Sequence, residues 1–251
     1  MKQLLHVTGA TGYLGSELVR LRPDASTERV EVRDPDAVRA LLERVRPDVV
    51  VHTAYRQAGP GAHEITVAGA DNVARAAAAV GARLVHLSTD VVFDGRKRTP
   101  YVEDDPVSPA SDYGRAKAEA ELRVAAAHPG ALLVRTSLLY GGPELYDRPS
   151  KHEVAARDPA ATFYTNEIRS PVQVGDLAAA LLELAELDVS GPLHVAGAHA
   201  VSRAQFAELV VRRPVVTAEA PPGRPLDCSL DSSRAQAMIR TRLRGVREVM
   251  G

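Results

Sequence analysis

Short apolar runs alternate with helical patterns along the first half of the chain. Strands are predicted where apolar residues stand together, and amphipathic helices where apolar positions recur every three or four residues. The predicted strands are residues 3–8, 29–32, 48–54, 83–88 and 131–137, and the predicted helices are 13–22, 34–45, 64–80 and one beginning near 111. This alternation predicts a parallel sheet with helices on both faces.

The pattern is looser in the second half. Residues 141–154 are predicted to be a loop, followed by a helix at 174–187, a strand at 192–197, a helix at 202–211 and two terminal helices. We predict an α/β fold with a Rossmann-type, doubly wound parallel sheet and a small discontinuous C-terminal substrate lobe. Residues 1–145 would form the dinucleotide-binding domain. Residues 146–251 would add a sheet strand, helices and the substrate lobe.

Composition narrows the class of protein. Hydrophobic residues make up 45% of the chain, enough for a substantial core, and the formal charge of −1 predicts no nucleic acid or anionic membrane as partner. No long apolar run and no signal-peptide layout is present, so we expect a soluble cytoplasmic protein. The lone Cys228 excludes an intrachain disulfide. No His, Cys and Asp group has metal-ligand spacing, so we predict no catalytic metal.

A glycine-rich turn joins the first predicted strand to the first predicted helix. The stretch VTGATGYLGSEL spaces Gly9, Gly12 and Gly15 at intervals of three residues. Here backbone N–H groups at a helix N-terminus can meet the pyrophosphate of a dinucleotide, and a Cβ would block that approach. A tight turn without a ligand is the alternative, but the strand–turn–helix setting favours dinucleotide binding.

A tyrosine and a lysine lie four residues apart in SDYGRAKAEAEL, which begins a predicted helix. Only 4 of the 31 basic residues are lysine, so a chance pairing of Tyr113 with Lys117 is rare. Residues four apart share a helix face, and a nearby ammonium lowers the pKa of a tyrosine. Tyr113 can then protonate an alkoxide as a hydride reaches a ketone. An incidental pair on a surface helix is the alternative.

A third group, which would polarise the carbonyl, is expected at the end of the strand in VHLSTDVVFDG. Ser88, Thr89 and Asp90 stand there. The carboxyl ends of parallel strands face the ligand crevice, so these side chains are candidates. The alternative is that Ser88 or Thr89 only satisfies backbone groups of the loop.

Together these residues resemble an extended short-chain dehydrogenase/reductase, and within that superfamily the dTDP-4-dehydrorhamnose reductases. The resemblance covers nearly the whole chain. It is carried by VTGATGYLG, RPDVVVHTA, VGARLVHLSTDVVFDG, YGRAK, RTSLLYG, IRSPVQVGDLA and RPLDCSLD. It implies an NAD(P)-dependent oxidoreductase that reduces a 4-keto-6-deoxy sugar nucleotide.

The resemblance also implies roles for individual residues. Thr89 would hold the substrate carbonyl, Tyr113 would donate the proton, and Lys117 would bind the nicotinamide ribose and lower the tyrosine pKa. The implied cofactor-binding residues are Gly9, Thr11, Gly12, Tyr13, Leu14, Gly15, Asp34, Ala54, Tyr55, Ser88, Tyr113 and Lys117. The implied substrate residues are Asp90, Phe93, Asn166 and Arg169.

One segment departs from the family pattern. VRLRPDASTERVEV leaves no room for a full second strand and its loop, which in the family meet the adenosine ribose. Arg20, Arg22 or Arg33 would be the candidates for a 2′-phosphate by charge. The expected cofactor is NADP(H) or NAD(H), with NADP(H) preferred.

Other functions stay open at this point. A sugar-nucleotide epimerase is one alternative. A 4,6-dehydratase is disfavoured, because those enzymes carry an acidic pair after the threonine and here Asp90 is followed by Val91. The β subunit of methionine adenosyltransferase is also similar to this chain, which keeps open a non-catalytic, dinucleotide-binding regulatory subunit. We expect a small-molecule nucleotide sugar as partner and a homodimer as the assembly.

Overall fold

Five parallel strands form the central sheet of the computed structural model, which describes residues 3–251. Residues 3–251 contain eleven strands in all, numbered in chain order: β1 (Leu5–Thr8), β2 (Val49–His52), β3 (Arg83–Thr89), β4 (Leu132–Thr136), β5 (Leu139–Tyr140), β6 (Thr162–Tyr164), β7 (Ile168–Arg169), β8 (Val172–Gln173), β9 (Gly191–His194), β10 (Val201–Ser202) and β11 (Val216–Ala218). The helices are α1 (Tyr13–Leu21), α2 (Pro35–Val45), α3 (Ala62–Thr66), α4 (Ala68–Val80), α5 (Asp112–Ala127), α6 (Lys151–Ala156), α7 (Val174–Ala185), α8 (Arg203–Val211), α9 (Ser233–Gln236) and α10 (Val246–Met250).

The sheet has the strand order β1-β2-β3-β4-β9, with every neighbouring pair parallel. Helices α1 and α7 pack on one face of the sheet, and α2, α4 and α5 pack on the other. The strands are apolar runs because both of their faces are covered. The predicted α/β fold with a parallel sheet is confirmed.

The predicted strand at 29–32 is not formed, and this expectation was wrong. Between α1 and α2 the chain makes one isolated parallel bridge, from Ser26 to His6. It then turns away from the sheet, and Val32 packs beside Gly69 of α4. The connection is too short to add a strand and return to α2. The sheet therefore ends at β1, the strand that carries the glycine turn.

Two helices also differ from the prediction. The helix predicted at 64–80 is divided at Val67 into α3 and α4. Helix α6 begins within the predicted loop at 141–154 and extends past its end, because Ser150 and Glu153 form a capping box. The Glu153 carboxylate is buried and also accepts hydrogen bonds from the N–H groups of Gly141 and Gly142, at 3.0 and 2.9 Å.

The second half of the chain completes the sheet and adds a lobe beside it. Strand β9 is the fifth sheet strand, while the pairs β10–β7, β11–β6 and β5–β8 form small separate sheets. These pairings join residues distant in sequence, which a local pattern does not reveal. The domain division at residue 145 stays a prediction. Among residues 3–251, no helix has both the length and the apolar character needed to cross a membrane.

Three buried histidines, at positions 6, 52 and 86, lie in the neighbouring strands β1, β2 and β3. The rings of His52 and His86 stack with centroids 5.3 Å apart, and Nδ1 of His52 lies 2.7 Å from the Thr8 hydroxyl. Burial, with the charge of Lys117 acting in the same direction, lowers the pKa of His52 to about 3 and that of His86 well below its usual value. Both rings are therefore neutral at pH 7.

We expect the free energy of unfolding to fall as the pH drops below about 6.5. In this range the histidines are protonated in the unfolded state but stay neutral in the folded state. The stability that the neutral histidines contribute is complete above their pKa in the unfolded state. It is lost as the pH falls towards their lowered pKa in the folded state. Each such histidine contributes a slope of about 1.4 kcal/mol per pH unit. Urea unfolding, followed by circular dichroism at several pH values, measures the slope.

Two variants check this origin of the acid sensitivity. The substitution His86→Leu should flatten the slope by about one histidine's share. The substitution Leu122→Ala is the control and should leave the slope unchanged, because Leu122 is 74% exposed and carries no titratable group. An unchanged slope in His86→Leu would contradict the assignment.

Candidate active site

A cleft of about 660 Å³ opens at the carboxyl ends of β1 to β4, between the sheet and the lobe. The first turn of α1, the start of α5 and charged residues of the second half all line it. Ligands of open parallel sheets bind in this position. The cleft is therefore the candidate active site.

The glycine turn brings the N-terminus of α1 to the cleft. Gly9 has a φ of 70°, in the left-handed region, and accepts a 2.9 Å hydrogen bond from the N–H of Gly12. A Cβ on Gly15 would overlap the carbonyl oxygen of Gly9, so only glycine lets α1 start this close to β1. No side chain caps α1 at Gly12. The N–H groups of its first turn, which have no partner within the helix, face the cleft and suit an anion.

Tyr113 lies in the first turn of α5. Ser111 caps this helix, and Gly114 lets it approach the carbonyl of Val91, where a Cβ would collide. Burial raises the pKa of Tyr113 well above its usual value, and the neighbouring Tyr55 and Asp90 add to this effect. A hydrogen bond with the Thr89 side chain acts in the opposite direction. The phenol is therefore protonated at neutral pH.

Lys117 is fully enclosed one helical turn further along α5. Its Nζ donates to the carbonyl of Leu87 at 2.7 Å and lies 5.1 Å from the centre of the Tyr55 ring. Burial lowers the pKa of Lys117 to about 8, while the carboxylate of Glu121 opposes the shift. The side chain is mainly an ammonium at pH 7.

The expectation that Lys117 lowers the pKa of Tyr113 was wrong. The ammonium is directed to the Leu87 carbonyl, and the Tyr55 ring lies near both groups, 5.1 Å from Nζ of Lys117 and 5.9 Å from the ring of Tyr113. The phenol meets a buried environment and the Asp90 carboxylate instead. Desolvation therefore decides the direction of the shift.

Asp90 connects the predicted carbonyl-binding threonine to the second half of the chain. Its carboxylate accepts hydrogen bonds from Ser137 Oγ at 2.6 Å and from Thr89 Oγ1 at 3.1 Å. Arg169 Nε lies 3.7 Å away. Burial raises the pKa of Asp90, and Arg169 partly offsets this. Through these contacts Asp90 orients the Thr89 hydroxyl.

Sequence reasoning missed a group of basic side chains that line the far wall of the cleft, namely Lys151, His152, Arg203 and Arg224. Arg203 donates to Nδ1 of His152 at 3.3 Å rather than to a carboxylate. Burial, followed by the nearby cations, lowers the pKa of His152 to about 3. In the sequence, the one indication of this basic wall was that Arg203 stands at the start of a predicted helix. With Arg169, this wall suits a strongly anionic ligand.

Comparison with known proteins places this architecture in a family. The model of the RmlD substrate binding domain matches residues 1–249. This chain belongs to the RmlD substrate-binding-domain family.

Two known proteins and one solved structure align with most of this chain. It is 36% identical over 220 residues to a dTDP-4-dehydrorhamnose reductase of Mycolicibacterium smegmatis, covering 81% of this chain and 67% of the relative. It is 30% identical over 269 residues to methionine adenosyltransferase 2 subunit beta of Rattus norvegicus, covering 89% and 80%. The crystal structure of a Bacillus anthracis dTDP-4-dehydrorhamnose reductase in complex with NADP superposes with a TM-score of 0.84 at 25% identity, covering 100% and 96%.

Many of the residues that the resemblance to the RmlD family singled out meet in the cleft. The lining includes Gly12, Tyr13, Leu14, Gly15, Tyr55, Ser88, Thr89, Asp90, Tyr113, Lys117 and Arg169. They come from segments far apart in the chain, and the fold brings them together. Their roles stay predictions.

Six other predicted residues do not line the cleft, namely Gly9, Thr11, Asp34, Ala54, Phe93 and Asn166. Phe93 is fully buried and stacks on Tyr101 with ring centroids 4.1 Å apart, so it is a core residue. Asp34 caps α2 by accepting from two backbone N–H groups, and Asn166 accepts from the N–H of Ala220 at 2.8 Å. Gly9 forms the turn through its positive φ without lining the cleft.

Proposed function

We propose that this protein is an NAD(P)H-dependent reductase of a 4-keto-6-deoxy sugar nucleotide. The observation that carries the proposal is the meeting of Thr89, Tyr113 and Lys117 in one cleft with the N-terminus of α1. The 36% identity to a dTDP-4-dehydrorhamnose reductase supports both the reaction and the substrate class.

The residues present fit the nicotinamide and pyrophosphate portions of the cofactor. The uncapped first turn of α1 faces the cleft and suits the pyrophosphate. Ser88 Oγ is buried at the cleft and has no hydrogen-bond partner among residues 3–251, which leaves it available to a ligand. When bound, a reduced nicotinamide supplies the hydride.

The protein's own residues then manage the substrate oxygen. The raised pKa of Tyr113 keeps a proton on its hydroxyl at neutral pH, as a proton donor to a developing alkoxide requires. The Thr89 hydroxyl lines the same cleft and donates to Asp90 at 3.1 Å; it would turn its proton from Asp90 to the substrate oxygen. Lys117 would bind the nicotinamide ribose through its ammonium. These assignments rest on the placement of the side chains and on the resemblance to the family.

A sugar nucleotide suits the opposite wall of the cleft. Arg169, Arg203 and Arg224 line this wall; Arg224 pairs with Glu167 at 2.7 Å, and Arg169 lies 3.2 Å from Glu167 and 3.7 Å from Asp90. Guanidinium groups bind phosphate oxygens through paired hydrogen bonds. The diphosphate of the substrate would lie there and direct the sugar towards Tyr113.

The test is oxidation of NADPH or NADH by the purified protein in the presence of dTDP-4-keto-6-deoxyhexose, followed by absorbance of the reduced nicotinamide. We expect loss of absorbance that depends on both protein and sugar nucleotide. Binding of the nicotinamide cofactor without turnover would contradict the reductase. It would favour a second candidate, a cofactor-binding subunit, which the 30% identity to methionine adenosyltransferase 2 subunit beta supports.

Two further expectations accompany this proposal. The homodimer is checked by light scattering after size-exclusion chromatography, and the cytoplasmic location by fractionation of cells. The choice between NADP(H) and NAD(H) depends on the adenosine end of the cofactor site.

A further inference from the structure

The glycine turn stands at the edge of the sheet. β1 is the last strand in the order. On its outer side, among residues 3–251, only Ser26 pairs with it, donating its N–H to Leu5 O at 2.8 Å and accepting from Val7 N at 3.0 Å. The nicotinamide-side candidates Tyr113 and Lys117 lie in the other direction, next to β3. A dinucleotide lies across the carboxyl ends of the strands. Its adenosine must therefore extend past β1, beyond the edge of the sheet.

Three arginines near that edge are already engaged, whereas Arg29 is exposed, has no ion pair within residues 3–251 and does not line the cleft. Arg20 pairs with Glu17 at 2.6 Å, and Arg33 pairs with Glu31 at 2.8 Å. Arg22 donates to Asp24 and to the carbonyl of Gln3. None of the three is directed into the cleft. The three candidates for a 2′-phosphate are instead used to fix the short connection between α1 and α2.

The carboxylates of the same connection are engaged as well. Glu28 pairs with Arg44, Glu31 with Arg33, and Asp34 caps α2. A carboxylate that accepts from a ribose hydroxyl is the usual feature of an adenosine subsite. Within the described part of the chain, no residue between Gly15 and Thr53 lines the cleft.

We propose that this protein recognises its cofactor through the nicotinamide nucleotide and the pyrophosphate alone, so that the adenosine half adds no affinity. The inference rests on the cofactor site of the proposed function and specifies which part of the ligand that site reads. It follows that the base and the 2′-phosphate of the second nucleotide are exchangeable. This replaces the expected preference for NADP(H) with equal use of NADP(H) and NAD(H).

The test is calorimetric titration of the full chain, without sugar nucleotide, using NADH, NADPH and reduced nicotinamide cytosine dinucleotide. We expect the three dissociation constants to agree within about threefold, because a charged hydrogen bond to the 2′-phosphate would by itself shift one of them about tenfold or more. Adenosine and 2′-AMP, which lack the 5′-phosphate that the α1 turn would bind, should not compete with NADH. Nicotinamide mononucleotide should compete.

Variants separate the two ends of the ligand. Arg33→Ala should leave the ratio of the NADPH and NADH dissociation constants unchanged. Lys117→Met should weaken all three dinucleotides together, with circular dichroism confirming that the variant is folded. A tenfold preference for NADPH, a tenfold loss with the cytosine analogue, or competition by an adenosine fragment would overturn the inference alone. Failure of every dinucleotide to bind would overturn it together with the cofactor site of the proposed function.

Discussion

Replacing Tyr113 with phenylalanine is expected to lower the turnover number of the proposed reductase by about 100- to 10,000-fold, the usual contribution of a general acid. The phenol hydrogen-bonds the Thr89 side chain and holds a proton at neutral pH, since its pKa is raised well above the usual value. The substitution removes one oxygen and keeps the ring, so packing against Tyr55 is preserved. Steady-state oxidation of NADPH with the sugar nucleotide gives the measurement.

Cofactor binding and a control variant show whether the loss of turnover comes from the missing hydroxyl. Tyr113→Phe should bind NADH as the native protein does, because the glycine turn and Lys117 are untouched. Tyr146→Phe provides the control, since Tyr146 is 74% exposed and lies outside the cleft lining. Equal turnover in Tyr113→Phe and Tyr146→Phe would remove Tyr113 from the chemistry while leaving its role in packing.

Replacing Arg135 with methionine is expected to lower the free energy of unfolding by about 3–5 kcal/mol, the usual cost of leaving a buried charge without its partner. The guanidinium lies in β4 and pairs with Glu121 of α5 at 2.9 Å, with only 4% and 6% of the two side chains exposed. It also donates to the carbonyl of Glu103 at 3.2 Å. Denaturation in urea provides the free energy.

Two companion variants test the cause. Arg123→Met breaks an exposed pair with Glu119 on the same helix and should cost under about 1 kcal/mol. The double variant Glu121→Leu, Arg135→Met should recover most of the loss, because it removes both buried charges. A loss in Arg135→Met no larger than in Arg123→Met would show that Glu121 is well solvated without its partner.

Local sequence patterns predicted the parts of the site that are themselves local. The glycine turn depends on residues within one strand–turn–helix unit. The pairing of Tyr113 with Lys117 depends on one turn of one helix. Both therefore lie where the sequence indicated, and the short apolar runs of β2, β3 and β4 indicated the parallel sheet in the same way.

Features that depend on burial or on distant segments were not predictable in this manner. The raised pKa of Tyr113 follows from desolvation by the folded cleft, whereas spacing along the helix suggested only the effect of Lys117. Phe93 was an expected substrate contact and is a core residue beneath Tyr101. The basic wall containing Arg203 and Arg224 assembles from segments with no shared local pattern.

The sequence by itself determined the five strands of the central sheet, the glycine turn and the helical spacing of Tyr113 and Lys117, because each of these follows from near-neighbour stereochemistry. Only the tertiary structure decided that the sheet stops at β1, that 29–32 is not a strand, and that three nearby arginines are paired with carboxylates. The physical reason is that strand pairing, desolvation and ion pairing depend on distances between residues far apart in the chain, and folding alone sets those distances.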